Sequence, residues 1–255
     1  SIDQSQLRNS MIFSGLEVIK YNVNRKKIDL KLFEFGKEYH RTDNGKYIEI
    51  EKLAIFINGA RNNQHWNNPE KKSDYYFLKG IVKSLTDRLG FNNVKSKPIV
   101  SENISEGETI SYSKSEIASF GIINKEICKF FDLNEDVLYA EVDINTVLNK
   151  FSNKPAQFQS ISKFPEVTRD LSILIDSDIK FENIYKVSKQ INQKLIKEIT
   201  LFDVYEGKNL PKNKKSYGIS FKMQDNEKTL SEAEIESVMS NITSKLKKEF
   251  NAELR

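Results

Sequence analysis

Apolar residues along this chain follow two rhythms, one recurring every three or four positions and one every second position. Over residues 10–23, Ile12, Leu16 and Ile19 keep helical spacing. Residues 30–35 alternate like a strand, and Gly36 stands where that strand is expected to stop. Leu53-Ala54-Ile55-Phe56-Ile57 is an unbroken apolar run, expected of a strand buried on both faces and ended by the turn pair Asn58-Gly59. Residues 74–89 form the clearest helix of this stretch. Phe77, Ile81, Leu85 and Leu89 make the stripe expected to face the core, Val82 widens it, and Gly90 suits a left-handed C-cap. Residues 117–123 and 137–142 read as strands, with a short helix over 125–131 between them. The first 150 residues are thus expected to be mixed α+β, built around a sheet.

A connector rich in Ser, Asn, Lys, Gln and Pro covers residues 151–165 and reads as extended. Beyond it the order is legible. The pattern predicts a strand at 170–176, a helix at 181–198 (Ile184, Val187, Ile191 and Leu195) and a strand at 199–205. A turn-rich loop at 206–214 leads to a strand at 215–223, where Tyr217, Ile219, Phe221 and Met223 alternate. A helix over 231–250 follows, opened by the capping-box pair Ser231 and Glu234, and Ala252-Glu253-Leu254 closes as a short strand. The sum is β-α-β-β-α-β in about 90 residues, the ferredoxin-like arrangement, with one sheet face left open. An open sheet with aromatics and lysines is a common way to hold single-stranded RNA, although the fold alone does not establish it.

Composition adds exclusions. The 255 residues suit two domains, and no apolar run is long enough for a membrane-spanning helix. Ser1-Ile2-Asp3-Gln4 lacks the features of a signal peptide and an initiator Met, so the chain is expected to be a fragment of something longer. Cys128, the one cysteine, fits a reducing, cytoplasmic setting and a packing role. The net charge of +4 is too mild to mark a nucleic-acid binder. Basic residues outnumber acidic ones 18 to 15 after residue 150 and 22 to 21 before it, so an RNA site must come from local clustering. His40 and His65 have no companions at metal-ligand spacing, and no Ser-His-Asp, Walker or glycine-rich phosphate motif is present. No catalytic residue and no metal ligand is therefore expected.

Several segments resemble the β subunit of bacterial phenylalanine–tRNA ligases. In the second half they are Phe164-Pro165-Glu166-Val167-Thr168-Arg169-Asp170, Leu201-Phe202-Asp203-Val204-Tyr205-Glu206-Gly207, Lys214-Lys215-Ser216-Tyr217, Lys228-Thr229-Leu230-Ser231 and Ala252-Glu253-Leu254-Arg255. They resemble that enzyme's anticodon-binding domain in order and spacing. In the first half Leu7-Arg8-Asn9-Ser10, Leu32-Phe33-Glu34-Phe35-Gly36, Trp66, Asp74-Tyr75-Tyr76-Phe77-Leu78-Lys79-Gly80 and Ala140-Glu141-Val142-Asp143 are similar to its synthetase-like core. One departure is Ser111-Tyr112-Ser113-Lys114-Ser115, where many relatives carry a His-Pro-Gly-Arg-like segment.

The resemblance implies an α+β chain in which a class II synthetase-like antiparallel-sheet domain (1–152) and a linker (153–163) precede a ferredoxin-like anticodon-binding domain (164–255). It also implies a catalytic α subunit as partner in an (αβ)2 assembly, tRNA(Phe) as ligand, and ATP and Mg²⁺ for the whole complex. No membrane or DNA is expected to be bound. The chain itself is expected to be inactive. None of its ten glycines makes a Gly-x-Gly pattern, and Arg41-Thr42-Asp43, faintly similar to an α-phosphate motif, leads into the hairpin pair Asn44-Gly45.

Candidate tRNA contacts are Arg169, Tyr205, Lys208, Lys212, Lys214 and Lys215. The lysines either attract phosphate or edge a solvated loop. Arg169 either stacks on a base or pairs with Asp170 or Asp203, and Tyr205 is either a stacking platform or a core-edge aromatic. Tyr217 and Phe221 are expected in the core. Two other readings stay open. One is a stand-alone, non-enzymatic RNA-binding or interaction module, and the other is a metabolite-sensing ferredoxin-like domain.

Overall fold

The structure is a computed structural model describing residues 7–62, 65–91, 94–151, 161–207 and 210–255. The chain divides into two compact units, Ser1–Pro155 and Ala156–Arg255. Most of the connector, residues 152–160, lies outside the described residues.

In the first unit, helix α1 (Ile12–Val23) precedes the hairpin β1 (Leu30–Arg41) and β2 (Tyr47–Asn58). Next come α2 (Tyr75–Arg88), β3 (Lys95–Ile99), β4 (Ile104–Tyr112), β5 (Ser115–Ile123), α3 (Lys125–Phe130), β6 (Leu138–Asp143) and α4 (Ile144–Lys150). The six strands form one antiparallel sheet, β1-β2-β6-β5-β4-β3. Met11, Leu16 and Ile19 bury against Phe56 and Tyr139 on one side, and Leu78 and Val82 pack with Phe120 and Ala140 on the other. Cys128 is buried, and burial raises its thiol pKa, so it stays a packing residue.

The structure corrects or refines four expectations for this unit. Gly36 lies inside β1 because a Cβ there would sit 2.0 Å from the Arg8 guanidinium and 2.7 Å from Met11. It makes room for packing and does not end the strand. The apolar run in β2 is buried on both faces, at Ala54 and Phe56 on one and at Ile57 on the other, where Leu53 and Ile55 are half-buried. In α2 the expected stripe packs on the core, with Val82 fully buried and Phe77, Ile81 and Leu85 half-buried, and Leu78 and Thr86 are fully buried beside it. Finally, β3, β4 and α4 fall where the apolar pattern gave no element. The exposed Lys-Ser-Lys-Pro-Ile of β3 reads as loop until β4 pairs with it.

Asn44-Gly45 does make a hairpin turn, with Gly45 at φ 76°. Gly90 is left-handed at φ 82° after α2. Ser113 and Lys114, in the departing segment, are both left-handed and join β4 to β5 in a two-residue turn.

The second unit contains β7 (Val167–Asp176), α5 (Phe181–Ile191), β8 (Ile196–Tyr205), β9 (Lys214–Met223), α6 (Glu232–Phe250) and β10 (Glu253–Leu254). Its sheet order is β10-β7-β9-β8, the ferredoxin-like order, with neighbours antiparallel. Leu171, Ile173, Tyr217, Ile219, Phe221 and Met223 point to one side and bury with Ile184, Ile235, Ile242 and Leu246 of the helices. Helix α5 ends at Ile191, not at residue 198. The Asn192 side chain accepts from Leu195 N at 3.0 Å, which closes a turn and lets Ile196 and Ile199 bury as strand residues.

Helix α6 carries the capping box read from the sequence: Ser231 accepts from Glu234 N, and Glu234 accepts from Ser231 N. Lys228 and then Ser231, bonding its carboxylate, hold the Glu234 pKa down at about 2. Its folded pKa lies below the unfolded value, so its contribution to stability is full above the unfolded carboxylate range and is lost as pH falls toward 2. We expect Glu234→Gln to lower the thermal midpoint at pH 7, by a margin that shrinks steadily between about pH 4.3 and 2. Melts across that range check it; a margin independent of pH would refute the assignment.

Candidate nucleic-acid interface

The side of the second sheet opposite its helices carries small residues at its centre. Ser172 of β7 pairs with Gly218 of β9, Asp170 with Ser220, and Leu174 with Ser216. These positions alternate with the buried Leu171, Ile173, Tyr217 and Ile219, so they share the other face.

One irregularity decides what stands on that face. Leu201 pairs with Ile219 and Asp203 with Gly218, which leaves Phe202 as the extra residue of a β-bulge. Under strict alternation Tyr205 would share a face with Leu201, which packs against the core. The bulge shifts the phase by one. Tyr205 now pairs with Ser216 and joins Phe202 on the open face. Phe202 lies over Gly218, where an added Cβ would come 2.8 Å from its ring, yet Phe202 is 59% exposed. The Tyr205 hydroxyl lies just as closely over Gly207.

Arg255 completes the group. Its backbone N–H donates to Ser172 O at 3.1 Å, and its guanidinium reaches to 5.6 Å from the centroid of the Tyr205 ring. Since β9 lies between β7 and β8, the Arg255 side chain spans the open face. Two aromatic rings and one guanidinium above a floor of Gly and Ser make a surface on which unpaired bases can stack.

The other sequence candidates lie elsewhere. Arg169 Nη2 donates to both carboxylate oxygens of Glu232 in α6, at 2.6 and 2.9 Å, so neither Asp170 nor Asp203 is its ion-pair partner and it belongs to the helix side. Lys215 is 7% exposed and its amine caps the Tyr217 ring at 4.9 Å. Lys214 pairs with Asp176 at 3.0 Å. Lys212 is exposed in the loop, and Lys208 lies outside the described residues. At the far end of the face, Lys222 is held between Glu198 at 3.0 Å and Glu166 at 3.7 Å, chiefly Glu198 raising its pKa. Phe202 and Arg255 are therefore the residues that sequence patterning missed. Both lie in segments that resemble the family, 201–207 and 252–255, but no periodicity marks a bulge.

In the first unit a pocket of about 120 Å³ on the sheet is lined by Lys52, Thr109, Glu116, Ser119, Glu141 and Asp143. Lys52 is engaged by Glu141 at 3.5 Å and Asp143 at 3.9 Å. Three carboxylates against one lysine give the wrong sign for a polyphosphate, and the volume is below the usual range for small-molecule sites. His40 lies 3.6 Å from Glu38, and His65 meets Asn67. Among the described residues no three His, Cys, Asp or Glu side chains stand together as a metal site.

Comparison with known proteins places the chain. A family model described as the phenylalanyl tRNA synthetase beta chain CLM domain matches residues 1–144, and one described as the ferredoxin-fold anticodon binding domain matches residues 162–255. The chain belongs to the phenylalanyl tRNA synthetase beta chain family. It is 35% identical to the phenylalanine–tRNA ligase beta subunit of Bacteroides thetaiotaomicron over the whole chain, which covers 32% of that relative. The beta subunits of Porphyromonas gingivalis and Listeria monocytogenes are 34% and 31% identical over 98% and 100% of the chain, again 32% of each relative. The chain thus spans about a third of the length of these beta chains. Among solved structures, a pyrrolysyl-tRNA synthetase from Desulfitobacterium hafniense overlaps 55% of the chain and 48% of its own at 11% identity, with a TM-score of only 0.43.

Proposed function

We propose that this chain is the tRNA-holding and scaffolding part of a phenylalanine–tRNA ligase. Its ferredoxin-like domain (164–255) binds the anticodon region of tRNA(Phe). Its synthetase-like domain (1–152) is catalytically silent and carries the catalytic α subunit, with residues 153–163 as tether. ATP and Mg²⁺ serve phenylalanine activation on the α subunit of an (αβ)2 enzyme in the cytoplasm. The observation that carries the proposal is the platform of Phe202, Tyr205 and Arg255 on an uncovered sheet face, in a domain of anticodon-binding type. Holding the anticodon end positions the acceptor end, and this orientation is the domain's contribution to catalysis.

Stacking sets affinity here, and lysines add a salt-dependent share. In the intact enzyme we expect Lys212→Ala to reduce the salt slope of tRNA binding by about one. Lys215→Ala should lower stability and leave the slope alone, because its amine is spent on Tyr217. Salt titrations of binding test both, and an unchanged slope for Lys212→Ala removes that residue from the site. The chain alone should release no pyrophosphate from ATP with phenylalanine. Co-purification with an α subunit separates this proposal from a stand-alone RNA-binding module.

A further inference from the structure

Helix α2 carries a broad apolar stripe that its own fold covers only in part. Leu78 and Val82 are buried in the core, and Phe77, Ile81 and Leu85 pack against that core while staying half-buried at the surface. Beside that stripe Gly80 and Ser84 are exposed, one turn apart. A Cβ at Gly80 would meet nothing within 4 Å, so the fold itself does not require glycine there. Mid-helix glycine is costly in backbone entropy, and its benefit is a smooth surface that another backbone can approach closely.

Two cavities meet on this surface, of about 540 and 410 Å³, and both are lined by Ile81 and Leu85. The first adds Arg61, Arg88 and Tyr76, and the second adds Phe33 and Phe35 of β1 with Leu53 and Ile55 of β2. Phe33, Phe35 and Tyr76 are 72%, 66% and 77% exposed. A continuous apolar surface of this kind marks an interface. Its polar rim has a definite sign. The Arg61 guanidinium lies 4.7 Å over the Phe77 ring, and neither Arg61 nor Arg88 has an ion-pair partner among the described residues. Asp74, the one acid of the lining, already caps Phe77 N.

We propose that this groove receives a helix of the catalytic α subunit, apolar along one side and bearing carboxylates that meet Arg61 and Arg88. The spacing of the ridge (77, 81, 85) and of the smooth row (80, 84) suits helix-on-helix packing, and the unpaired guanidiniums call for acidic residues on the partner. This rests on the scaffolding role given above.

The test uses the full-length β chain co-expressed with its α partner, in three forms: unaltered, Gly80→Leu, and Arg61→Glu with Arg88→Glu. Each variant is expected to bind the α subunit at least tenfold more weakly, with anticodon stem-loop binding unchanged. The arginine pair is on the surface, so it decides the matter should Gly80→Leu disturb the fold. Unaltered affinity for α in both variants would overturn the groove and leave the scaffolding role standing. Loss only of pairing between two αβ units, with α retained, would overturn it too. An unaltered β chain that binds no α subunit would bring down both the groove and the role it rests on.

Discussion

Replacing Phe202 and Tyr205 together with alanine is expected to weaken tRNA(Phe) binding by about 2–6 kcal/mol, or roughly 30-fold to more than 10,000-fold, without unfolding the domain. The estimate takes about 1–3 kcal/mol for each base that loses its aromatic partner. Folding should be spared because Phe202 is exposed and Tyr205 is only half-buried, whereas the core rests on Ile219, Phe221 and Met223, all fully buried. Binding of a labelled anticodon stem-loop to the intact enzyme measures the loss. The single variants should each show part of it, and Gly218→Val should mimic Phe202→Ala, because its new methyls occupy the space under the Phe202 ring. Affinity within twofold of the parent in the double variant would mean that bases do not stack on this face.

The second large effect belongs to the first unit. Gly107 and Gly121 face each other across β4 and β5. A Cβ at Gly121 would come 2.3 Å from Glu106 O and 2.8 Å from Gly107 Cα, and one at Gly107 would come 2.5 Å from Phe120 O. The obstacles are backbone atoms, and β4 and β5 are each paired on both sides, so neither strand can shift alone. We expect Gly121→Val to cost more than about 3 kcal/mol, at the upper end of overpacking effects. Gly80→Ala is the control: its Cβ meets nothing, and it should gain up to about 1 kcal/mol of helix propensity. Urea unfolding of the two variants should therefore diverge in opposite directions. A Gly121→Val protein as stable as its parent would show that the two strands do not approach so closely.

Much of this molecule was legible before any coordinates. In the second half, strict alternation at Tyr217, Ile219, Phe221 and Met223 and helical spacing at Ile235, Ile242 and Leu246 gave the ferredoxin-like order, because burial on one face imposes a period on the residues. The capping box at Ser231 and Glu234 was legible for a similar reason: both partners lie within one turn. Errors arose where the deciding contact was distant in sequence. Gly36 read as a stop because nothing local shows Arg8 and Met11 against it. Helix α5 read too long because Leu195 continues the helical spacing, while the burial of Ile196 beside β9 turns the chain into a strand.

The site divides the same way. Local pattern settled that an uncovered sheet face exists and that Tyr205 stands at a strand end, since both follow from spacing along one strand. Only the tertiary structure could put Tyr205 on that face. Its placement depends on the register of β8 against β9, where one extra residue at Phe202 reverses every side chain after it. Register is a relation between strands, so it leaves no mark in the order of residues within one. The same holds for Arg255, which follows β10 and meets Tyr205 of β8 across β7 and β9.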